Sequence, residues 1–492
     1  MQRILIPVLL SLVLANAGAQ DSQLYRYELF KPGRDLHVLN LKEDGLMLWE
    51  TAPSGRRSIA WHLLDTALRP VYTDTVKLET DATQLRVAYS ARKHEVGFFI
   101  QNTFHTATFL FLNTHSGKTQ KHEVKITQGQ KWLPQVLLPV NGEWILASER
   151  NYRPVLYRFH PDSGIRKLPF TWPDADVVLD AAMTWDEQDF LLLYKLDAYS
   201  QKGRHAFTIL GMDGQAQIPV QYAGNYDQNK PYRWQNIFYT RTGTGQYTVC
   251  GIWDHLRLRN TPQGYFWGRY EAGKTEELQY TEFTTLERFY AWMGPVPENR
   301  MQKKREKKQR KEKELMWNGP VVMGETTFWP GRTLMHFDFF RVIQDPPNNA
   351  WEMDRQTRNA WRSVIPEYSH SLVCALDSTG KIEEHITIPL TITERISEPN
   401  RVSVAFTDSL SHCIRLLYPW RNAVYSYRLH DGNLTANCTI MERGASHEVP
   451  KSDPLKAMYW RKNRYIVNGY QRVKTAPGQA FRRWVYAITA FQ

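Results

Sequence analysis

The stretch LRVAYSARKHEVGFFIQNTFHTATFLFLNTHSGKTQKHEVKIT, residues 85–127, decides the fold. It contains four short runs rich in β-branched and aromatic residues, which is the composition of β-strands. The predicted strands are residues 85–91, 95–103, 107–115 and 118–127. A tight Ser116-Gly117 turn separates the third run from the more polar fourth run. Since no helical run lies between them, the stretch predicts a four-stranded antiparallel sheet.

The hairpin turn of this stretch recurs along the chain. Successive copies lie 47 to 59 residues apart, except for one interval of 107 residues, which is about twice the period. The seven turns are Asp65-Thr66, Ser116-Gly117, Ser163-Gly164, Asp213-Gly214, Ala272-Gly273, Thr379-Gly380 and Asp431-Gly432. Strand-only repeats of this length are typical of propeller blades. The sequence therefore predicts an all-β fold, a single β-propeller of four-stranded blades.

The two ends of the chain complement each other. The last repeat offers three strand-like runs, at residues 457–461, 464–470 and 482–491, and then stops. Residues 23–30 form one more run before the first full repeat. We expect this N-terminal run to complete the last blade and to protect an edge that would otherwise invite aggregation. Counting the shared blade gives eight blades, and seven is the alternative if the irregular sixth repeat is not a full blade.

The first 19 residues have the pattern of an export signal. Arg3 supplies a positive charge, an apolar run follows, and Ala17-Gly18-Ala19 is a small-residue cleavage site. The apolar run is too short for a membrane span, and no later stretch is long enough. We therefore expect residues 1–19 to be a signal peptide and residues 20–492 to be the propeller, exported to the periplasm or the cell surface.

Two insertions fill the long interval. The first is residues 284–316. Within it, residues 300–314 hold nine basic side chains against three Glu and so carry half of the formal net charge of +12. These are Arg300, Lys303, Lys304, Arg305, Lys307, Lys308, Arg310, Lys311 and Lys313. Lys, Arg, Glu and Gln favour helix, and no apolar stripe is present, so we expect an exposed helix or a partly disordered arm. The second insertion, residues 344–367, predicts a long loop with a short helix.

The first insertion also carries a resemblance. The stretch FTTLERFY at residues 283–290, the basic run and GETTFWP at residues 324–330 form a recurring pattern. The pattern resembles uncharacterised secreted proteins of the Bacteroidota that are similar to WD40/YVTN-type propellers. The similarity covers residues 283–390 and is diffuse elsewhere. It implies an exported propeller with a charged helical insertion, and it implies no catalytic residue.

The Cys and His residues offer little ligand chemistry. Cys250, Cys374, Cys413 and Cys438 lack CxxC spacing. Cys413 and Cys438 fall on the predicted second and fourth strands of one blade, about 9.6 Å apart, which is too far for a disulfide. We expect all four to be free and buried. His336 and Asp338 would lie on one face of a strand, but one pair without a third ligand does not make a metal site.

Motifs for known chemistry are absent from the sequence. It has no GxSxG elbow, no HExxH and no sialidase box. LDSTGK at residues 376–381 resembles a turn of quinoprotein propellers, but the docking Trp and vicinal Cys pair of that family are missing. We predict no catalytic, cofactor-binding or metal-binding residues. The expected function is a non-catalytic binding or scaffold module of the cell envelope, and the alternative is an enzyme acting on a carbohydrate or peptide in the central depression.

The basic run has the clearest functional potential. Such a density of positive charge attracts anionic partners. The run contains no interleaved aromatic residues that could stack on bases, and an exported protein has little cause to meet nucleic acid. We therefore expect a monomeric protein whose partner is an envelope protein, an acidic glycan or lipopolysaccharide, and we expect no nucleic acid and no cofactor.

Overall fold

A computed structural model describes most of the chain. The described residues are 23–29, 36–51, 58–78, 84–103, 106–125, 132–150, 153–173, 177–196, 204–222, 232–255, 261–271, 278–311, 317, 319–329, 331–344, 364–393, 402–408, 413–420, 423–430, 433–440, 449–452, 456–461, 464–474 and 482–491. The predicted signal peptide, the Ala272-Gly273 and Asp431-Gly432 turns and Lys313 lie outside these residues. The chain divides into two compact units.

One unit comprises residues 33–259 and 265–280 and contains five antiparallel sheets. The first sheet is β2 Leu36–Asn40, β3 Leu46–Thr51, β4 Ser58–Leu64 and β5 Pro70–Lys77. The second is β6 Gln84–Ser90, β7 Glu95–Gln101, β8 Thr106–Asn113 and β9 Thr119–Lys125. The third is β10 Trp132–Val140, β11 Glu143–Arg150, β12 Arg153–His160 and β13 Gly164–Lys167. The fourth is β14 Val178–Met183, β15 Phe190–Leu196, β16 Arg204–Leu210 and β17 Ala216–Tyr222. The fifth is β18 Tyr232–Gly243, β19 Gln246–His255, β20 Gly264–Glu271 and β21 Gln279–Glu282.

The other unit comprises residues 1–32, 260–264 and 281–492 and contains three sheets. The first sheet is β22 Val321–Met323, β23 Thr327–Trp329, β24 Arg332–Gln344, β25 Val364–Asp377 and β26 Ile382–Thr393, with β22 and β23 sharing one edge of β24. The second is β27 Val404–Asp408, β28 Cys413–Trp420, β29 Ala423–His430 and β30 Asn433–Ile440. The third is β1 Gln23–Leu29, β31 Val449–Ser452, β32 Lys456–Arg461, β33 Arg464–Lys474 and β34 Arg482–Phe491.

The eight sheets are the blades of an all-β propeller, as the sequence predicts, and the eight-blade count is confirmed. The irregular sixth repeat is a full blade, because β22 and β23 together occupy the position of its first strand. Helix α1, Pro295–Gln309, is the one α-helix of the described residues. No helix in that part of the chain is long and apolar enough to cross a membrane.

The recurring hairpin joins the third strand of a blade to its exposed fourth strand. An Asp or Asn opens most of the described turns, and its side chain accepts a backbone N–H two residues later. Asp65 accepts from Ala67 at 2.8 Å, Asn113 from His115 at 3.2 Å and Asp377 from Thr379 at 2.8 Å. These Asx turns explain why the motif repeats without any cofactor, since the side chain stabilises the turn itself. The turn glycines, such as Gly380 with φ of +84°, adopt a backbone conformation that other residues rarely reach.

Apolar clusters fill the spaces between consecutive blades within each unit. Trp61 of β4 packs with Phe98 of β7, and Phe109 of β8 packs with Phe159 of β12 at a ring distance of 4.0 Å. In the other unit, Phe406 of β27 packs with Tyr465 of β33. Large aromatic side chains suit this position because a single ring covers much of the gap between two sheets. The high aromatic content of the sequence is therefore blade-to-blade core.

None of the four cysteines, all of which lie in the described part of the chain, forms a disulfide, as expected. Cys413 lies on β28 and Cys438 on β30, the second and fourth strands of one blade. The expectation that all four are buried is wrong for Cys438, which is half-buried because β30 is an exposed outer strand. Cys374 is fully enclosed, and burial raises the pKa of its thiol.

The N-terminal run completes the last blade, as predicted. β1 pairs antiparallel with β34 over seven residues, from Gln23 opposite Ala490 to Leu29 opposite Trp484. Without β1, the hydrogen-bonding groups along that edge of β34 would face solvent. The pairing joins the two ends of the described chain in a single sheet.

Deleting residues 20–31 should therefore cause gross destabilisation, with a fall in Tm of about 10 °C or more. The matched control is deletion of residues 1–19, which leaves β1 intact and should melt like the parent. Thermal unfolding followed by circular dichroism measures the difference. A protein lacking residues 20–31 that melts like the control would contradict the role of β1.

Candidate functional site

The first insertion folds back onto the blade that follows it. Two short 3-10 turns, Phe283–Thr285 and Ala291–Met293, lead into helix α1. Gly294 has a φ of +86° and precedes Pro295, which takes the first helical position. Proline is favoured there because its missing N–H would have no partner within the helix. The turn at Ala291–Met293 lies between α1 and β26, so it links the helix to the blade surface.

The basic run is mostly on helix α1, so its helical form is confirmed, and Arg310 and Lys311 follow in the next turn. Six of the described basic side chains are exposed: Arg300, Lys303, Lys304, Lys307, Arg310 and Lys311. Lys308 is half-buried. Arg305 is also half-buried and donates to the carbonyl oxygens of Thr285 and Leu286 at 3.4 and 3.3 Å. The run is therefore a docked helix with a positive outer surface.

A cavity of about 800 Å³ lies beside this insertion. Its wall combines side chains of the insertion with side chains of β24, β25 and β26. The lining residues are Trp292, Trp317, Gly319, Phe340, Arg341, Glu367, Tyr368, Ser369, Pro389 and Leu390. We call this cavity the tryptophan pocket. Its size and its largely aromatic wall with a few polar groups are typical of small-ligand sites.

Two indole groups define the pocket. The Nε1 atoms of Trp292 and Trp317 are both buried and have no hydrogen-bond partner. Trp317 is held in place by Gln263, whose side chain accepts from the Trp317 backbone at 3.1 Å and donates to its carbonyl at 2.9 Å. Gly319 allows this packing, since a Cβ atom there would lie 2.8 Å from the Trp317 ring. Buried indole N–H groups without a partner also occur at Trp61 and Trp144 in the blade cores, so it is the adjoining cavity that distinguishes Trp292 and Trp317.

His370 supports the pocket from behind. Its ring stacks on Trp292 at 4.6 Å and on Phe339 at 4.3 Å, and its Nδ1 lies 2.8 Å from the Ser369 hydroxyl. Burial lowers the pKa of His370 to about 3, against the opposing effect of Asp338. The imidazole is therefore neutral at physiological pH and acts as a flat packing element that orients Trp292.

The polar side of the pocket is an ion pair on a long hairpin. Arg341 of β24 pairs with Glu367 of β25, and the Arg341 side chain is 74% exposed. β24 and β25 stay paired as far as Gln344 opposite Val364. The predicted loop over residues 344–367 is therefore too long, because Gln344 and residues 364–367 are strand. Residues 345–363 lie outside the described part of the chain.

His336 and Asp338 lie on one strand face as predicted, but they form an internal network. The Asp338 carboxylate accepts from the backbone of Val402 and Ser403 at 3.0 and 3.1 Å and from the Ser403 hydroxyl at 2.5 Å. The Ser371 hydroxyl also donates to it, and His336 Nε2 lies 3.2 Å away. Burial alone would raise the pKa of Asp338, but His336 and the two hydroxyls hold it well below its usual range. Every carboxylate oxygen is satisfied, so this network joins β24 to the segment entering β27.

The polar groups of the pocket are few. Glu367 is the one carboxylate among its described lining residues, whereas glycoside hydrolysis generally needs two. Ser369 and His370 form a hydrogen-bonded pair, but the lowered pKa of His370 makes it a poor general base, and its Nε2 has no partner to orient it. The sequence did not predict this pocket, because its walls come from four separate segments.

The described residues that could hold a metal ion lie in the other unit. Asp44, His94 and His115 place one ligand atom each within 4.8 Å of one another. No metal site was predicted from the sequence, because the three residues are distant in the chain.

Comparison with known proteins finds structures of low similarity only. No known family model matches the chain, and no curated protein matches its sequence. The β-propeller domain of the Trilobed protease from Pyrococcus furiosus is 7% identical, with a TM-score of 0.35, over 83% of this chain and 99% of that one. Prolyl oligopeptidase B from Galerina marginata is 8% identical, with a TM-score of 0.41, over 92% of this chain and 56% of that one. An α-L-arabinofuranosidase from Fusarium graminearum is 9% identical, with a TM-score of 0.32, over 83% of this chain and 92% of that one. Similarity at this level assigns no substrate or activity.

Replacing Asp338 with Asn should lower the free energy of unfolding by about 3 kcal/mol, because buried donors lose a charged acceptor. The folded-state pKa of Asp338 lies below the unfolded value of about 3.9, so its contribution is complete above that pH and declines as the pH falls further. The difference between parent and variant should therefore shrink below about pH 4. Urea unfolding at several pH values measures it. Asp162→Asn, at a side chain that is 92% exposed, is the control. Equal stability of parent and Asp338→Asn at pH 7 would refute the role of the network.

Replacing the six exposed basic residues of the run with Gln should change Tm by less than about 2 °C, because solvated side chains contribute little to stability. Arg305→Gln alone should lower Tm more than all six together, since Arg305 is the member that contacts the backbone of Thr285 and Leu286. Differential scanning calorimetry of the two variants tests this. A larger fall in Tm for the six-residue variant than for Arg305→Gln would mean that the outer surface of the helix packs against the blade.

Proposed function

We propose that this protein is an exported, non-catalytic β-propeller that binds an acidic saccharide in the cell envelope through the tryptophan pocket. The observation that carries the proposal is a cavity of about 800 Å³ lined by Trp292 and Trp317, with Arg341 at its edge. A saccharide offers an apolar ring face to an aromatic wall and hydroxyl oxygens to N–H donors. These are the two properties that the pocket presents.

Arg341 accounts for the acidic character of the proposed ligand. Its guanidinium is largely exposed and pairs with Glu367, which is one-third exposed. An exposed ion pair of this kind contributes little to stability, so a ligand carboxylate or sulfate can take over the guanidinium at small cost. Arginine suits this exchange because its planar donors match the two oxygens of a carboxylate.

Helix α1 adds long-range attraction. It belongs to the same insertion as Trp292, Trp317 follows directly after that insertion, and the outer surface of the helix carries the exposed basic residues of the run. A positive surface next to a pocket raises the local concentration of an anionic partner and speeds its association. The basic run and the pocket are therefore proposed to act together on one acidic glycan, with lipopolysaccharide as the envelope source.

The signal-like N-terminus and the resemblance of residues 283–390 to secreted Bacteroidota propellers support the proposed location in the periplasm or at the cell surface. A partner protein of the envelope would be compatible with the same role. The alternative is a propeller enzyme acting on a carbohydrate or peptide. Within the described residues, the single carboxylate of the pocket and the weakly basic His370 favour binding over that alternative.

Titration with acidic and neutral oligosaccharides, followed by calorimetry and intrinsic fluorescence, tests the proposal. Trp292→Phe replaces the indole with a smaller aromatic ring that has no N–H donor, so affinity for the acidic ligand should fall about fivefold. Arg341→Ala should weaken acidic ligands about tenfold or more and leave neutral ones nearly unchanged. Trp185→Ala, at a half-buried tryptophan of the other unit, is the control and should bind like the parent.

Three results would decide against the proposal. If the protein bound no saccharide in the panel, saccharides would be excluded as its ligands. If Arg341→Ala lost affinity for acidic and neutral ligands equally, the guanidinium would not be what selects acidic ligands. Release of reducing ends during incubation, retained in the Trp185→Ala control, would favour the enzymatic alternative.

A further inference from the structure

We propose that Asp44, His94 and His115 form an open binding site for a divalent transition-metal ion, with Zn²⁺ as the reference ion. The three residues lie in the unit that contains β2–β21 and bring together two blades of that unit. Asp44 lies in the turn between β2 and β3, whereas His94 and His115 lie in the β6–β7 and β8–β9 turns. Because β6 and β8 run in the same direction, both turns lie at the same end of their sheet.

The ligand atoms already lie at nearly the right separations. His94 Nδ1 is 3.0 and 2.9 Å from the two carboxylate oxygens of Asp44, and His115 Nε2 is 3.1 Å from Oδ1. A tetrahedral zinc ion with bonds of about 2.0–2.1 Å holds its ligand atoms about 3.3 Å apart. The ligand nitrogens of His94 and His115 lie within 4.8 Å of each other. For the separations of both nitrogens from Asp44, adjustments of a few tenths of an ångström are enough. The exposed side chains of His94 and His115, at 45% and 61%, can make them.

The carboxylate of Asp44 is fixed by neighbours that leave one oxygen available. Thr114 Oγ1 and Tyr89 Oη donate to Oδ2 at 2.5 and 2.8 Å. Oδ1 is left facing the imidazoles. The Asp44 side chain is only 6% exposed, so its position is set by these contacts. Outer donors of this kind orient a metal-binding carboxylate, and their loss typically costs 10- to 100-fold in affinity.

The two histidines are also held by their backbones. The Thr114 N–H donates to the His94 carbonyl at 2.8 Å, and the Thr114 hydroxyl lies 2.9 Å from the same oxygen. His94 has a φ of +50°, a conformation that few residues other than Gly, Asn, Asp and His adopt. Tyr72 donates to the His115 carbonyl at 2.7 Å. The imidazoles stack at 4.1 Å, so both rings are presented side by side to the carboxylate.

The donor set indicates the class of ion. Two imidazole nitrogens with one carboxylate oxygen suit Zn²⁺ and related first-row ions, whereas Mg²⁺ and Ca²⁺ prefer oxygen ligands alone. Structural zinc sites use four protein ligands, and sites with three keep a position for water or another ligand. Three ligands with two half-exposed histidines therefore define an open site. When bound, the ion would join the turns of two blades.

Calorimetric titration of the chelator-treated full chain with ZnCl₂ tests the site, and Co²⁺ absorption reports its geometry. The parent should bind one Zn²⁺ that excess Mg²⁺ does not displace. His94→Asn combined with His115→Ala should weaken binding by at least about 100-fold, since two of three ligands are lost. Asn is chosen at position 94 because it tolerates positive φ. His160→Ala, at a histidine 3.8 Å from the exposed Asp162, is the matched control and should bind like the parent.

A second variant distinguishes weaker metal binding from a folding defect. Thr114→Val keeps all three ligands and removes one donor to Asp44, so Zn²⁺ affinity should fall 10- to 100-fold with an unchanged stoichiometry. Circular dichroism of each metal-free variant should match that of the metal-free parent. The proposal is overturned if the parent binds no Zn²⁺, or if the double variant binds it as tightly as the parent does.

Discussion

The structure depends on one constraint: a blade within either unit must bury both of its faces against its neighbours. β7 shows how the sequence meets it. Phe98 points into the cluster shared with β4, and the next residue, Phe99, points into the cluster shared with β12. Position 97 requires glycine, because a Cβ atom there would lie 2.7 Å from the Trp144 ring. A strand buried on both sides must be apolar throughout, so such runs lack simple alternation.

The same constraint leaves the turns between strands free to vary. Turns at equivalent positions in different blades of the β2–β21 unit come close to one another. Glu187, in the β14–β15 turn, accepts from the Ala91 backbone and the Ser90 hydroxyl, both at 2.6 Å, in the β6–β7 turn. Asp44 and His94 lie in equivalent turns of adjacent blades. Polar residues spaced by one or two repeats thus meet in space, although nothing in a local motif marks them.

The difference between strands, which depend on neighbouring residues, and sites, which form only when distant turns meet, explains what the sequence could predict. Strand positions and the repeated turn depend on neighbouring residues, so residues 85–127 were assigned almost correctly. The completion of the last blade by β1 followed from counting strands. The tryptophan pocket could not be found this way, because Gln263, Trp292, Arg341 and Glu367 meet only through packing. The loop predicted over residues 344–367 was also too long, since β24 continues to Gln344 and β25 begins at Val364.

The pocket lies where the repeat is interrupted by the first insertion. β24 and β25 have 13 and 14 residues, longer than the seven or eight of β7 and β8. Trp292 of the insertion and Trp317, just after it, line the cavity beside Phe340 and Tyr368 of these two strands. Their indole N–H groups are buried without acceptors, but so are those of Trp61 and Trp144 in the blade cores. Missing acceptors alone therefore do not mark a ligand site, whereas a cavity of about 800 Å³ with an aromatic wall has the size of one.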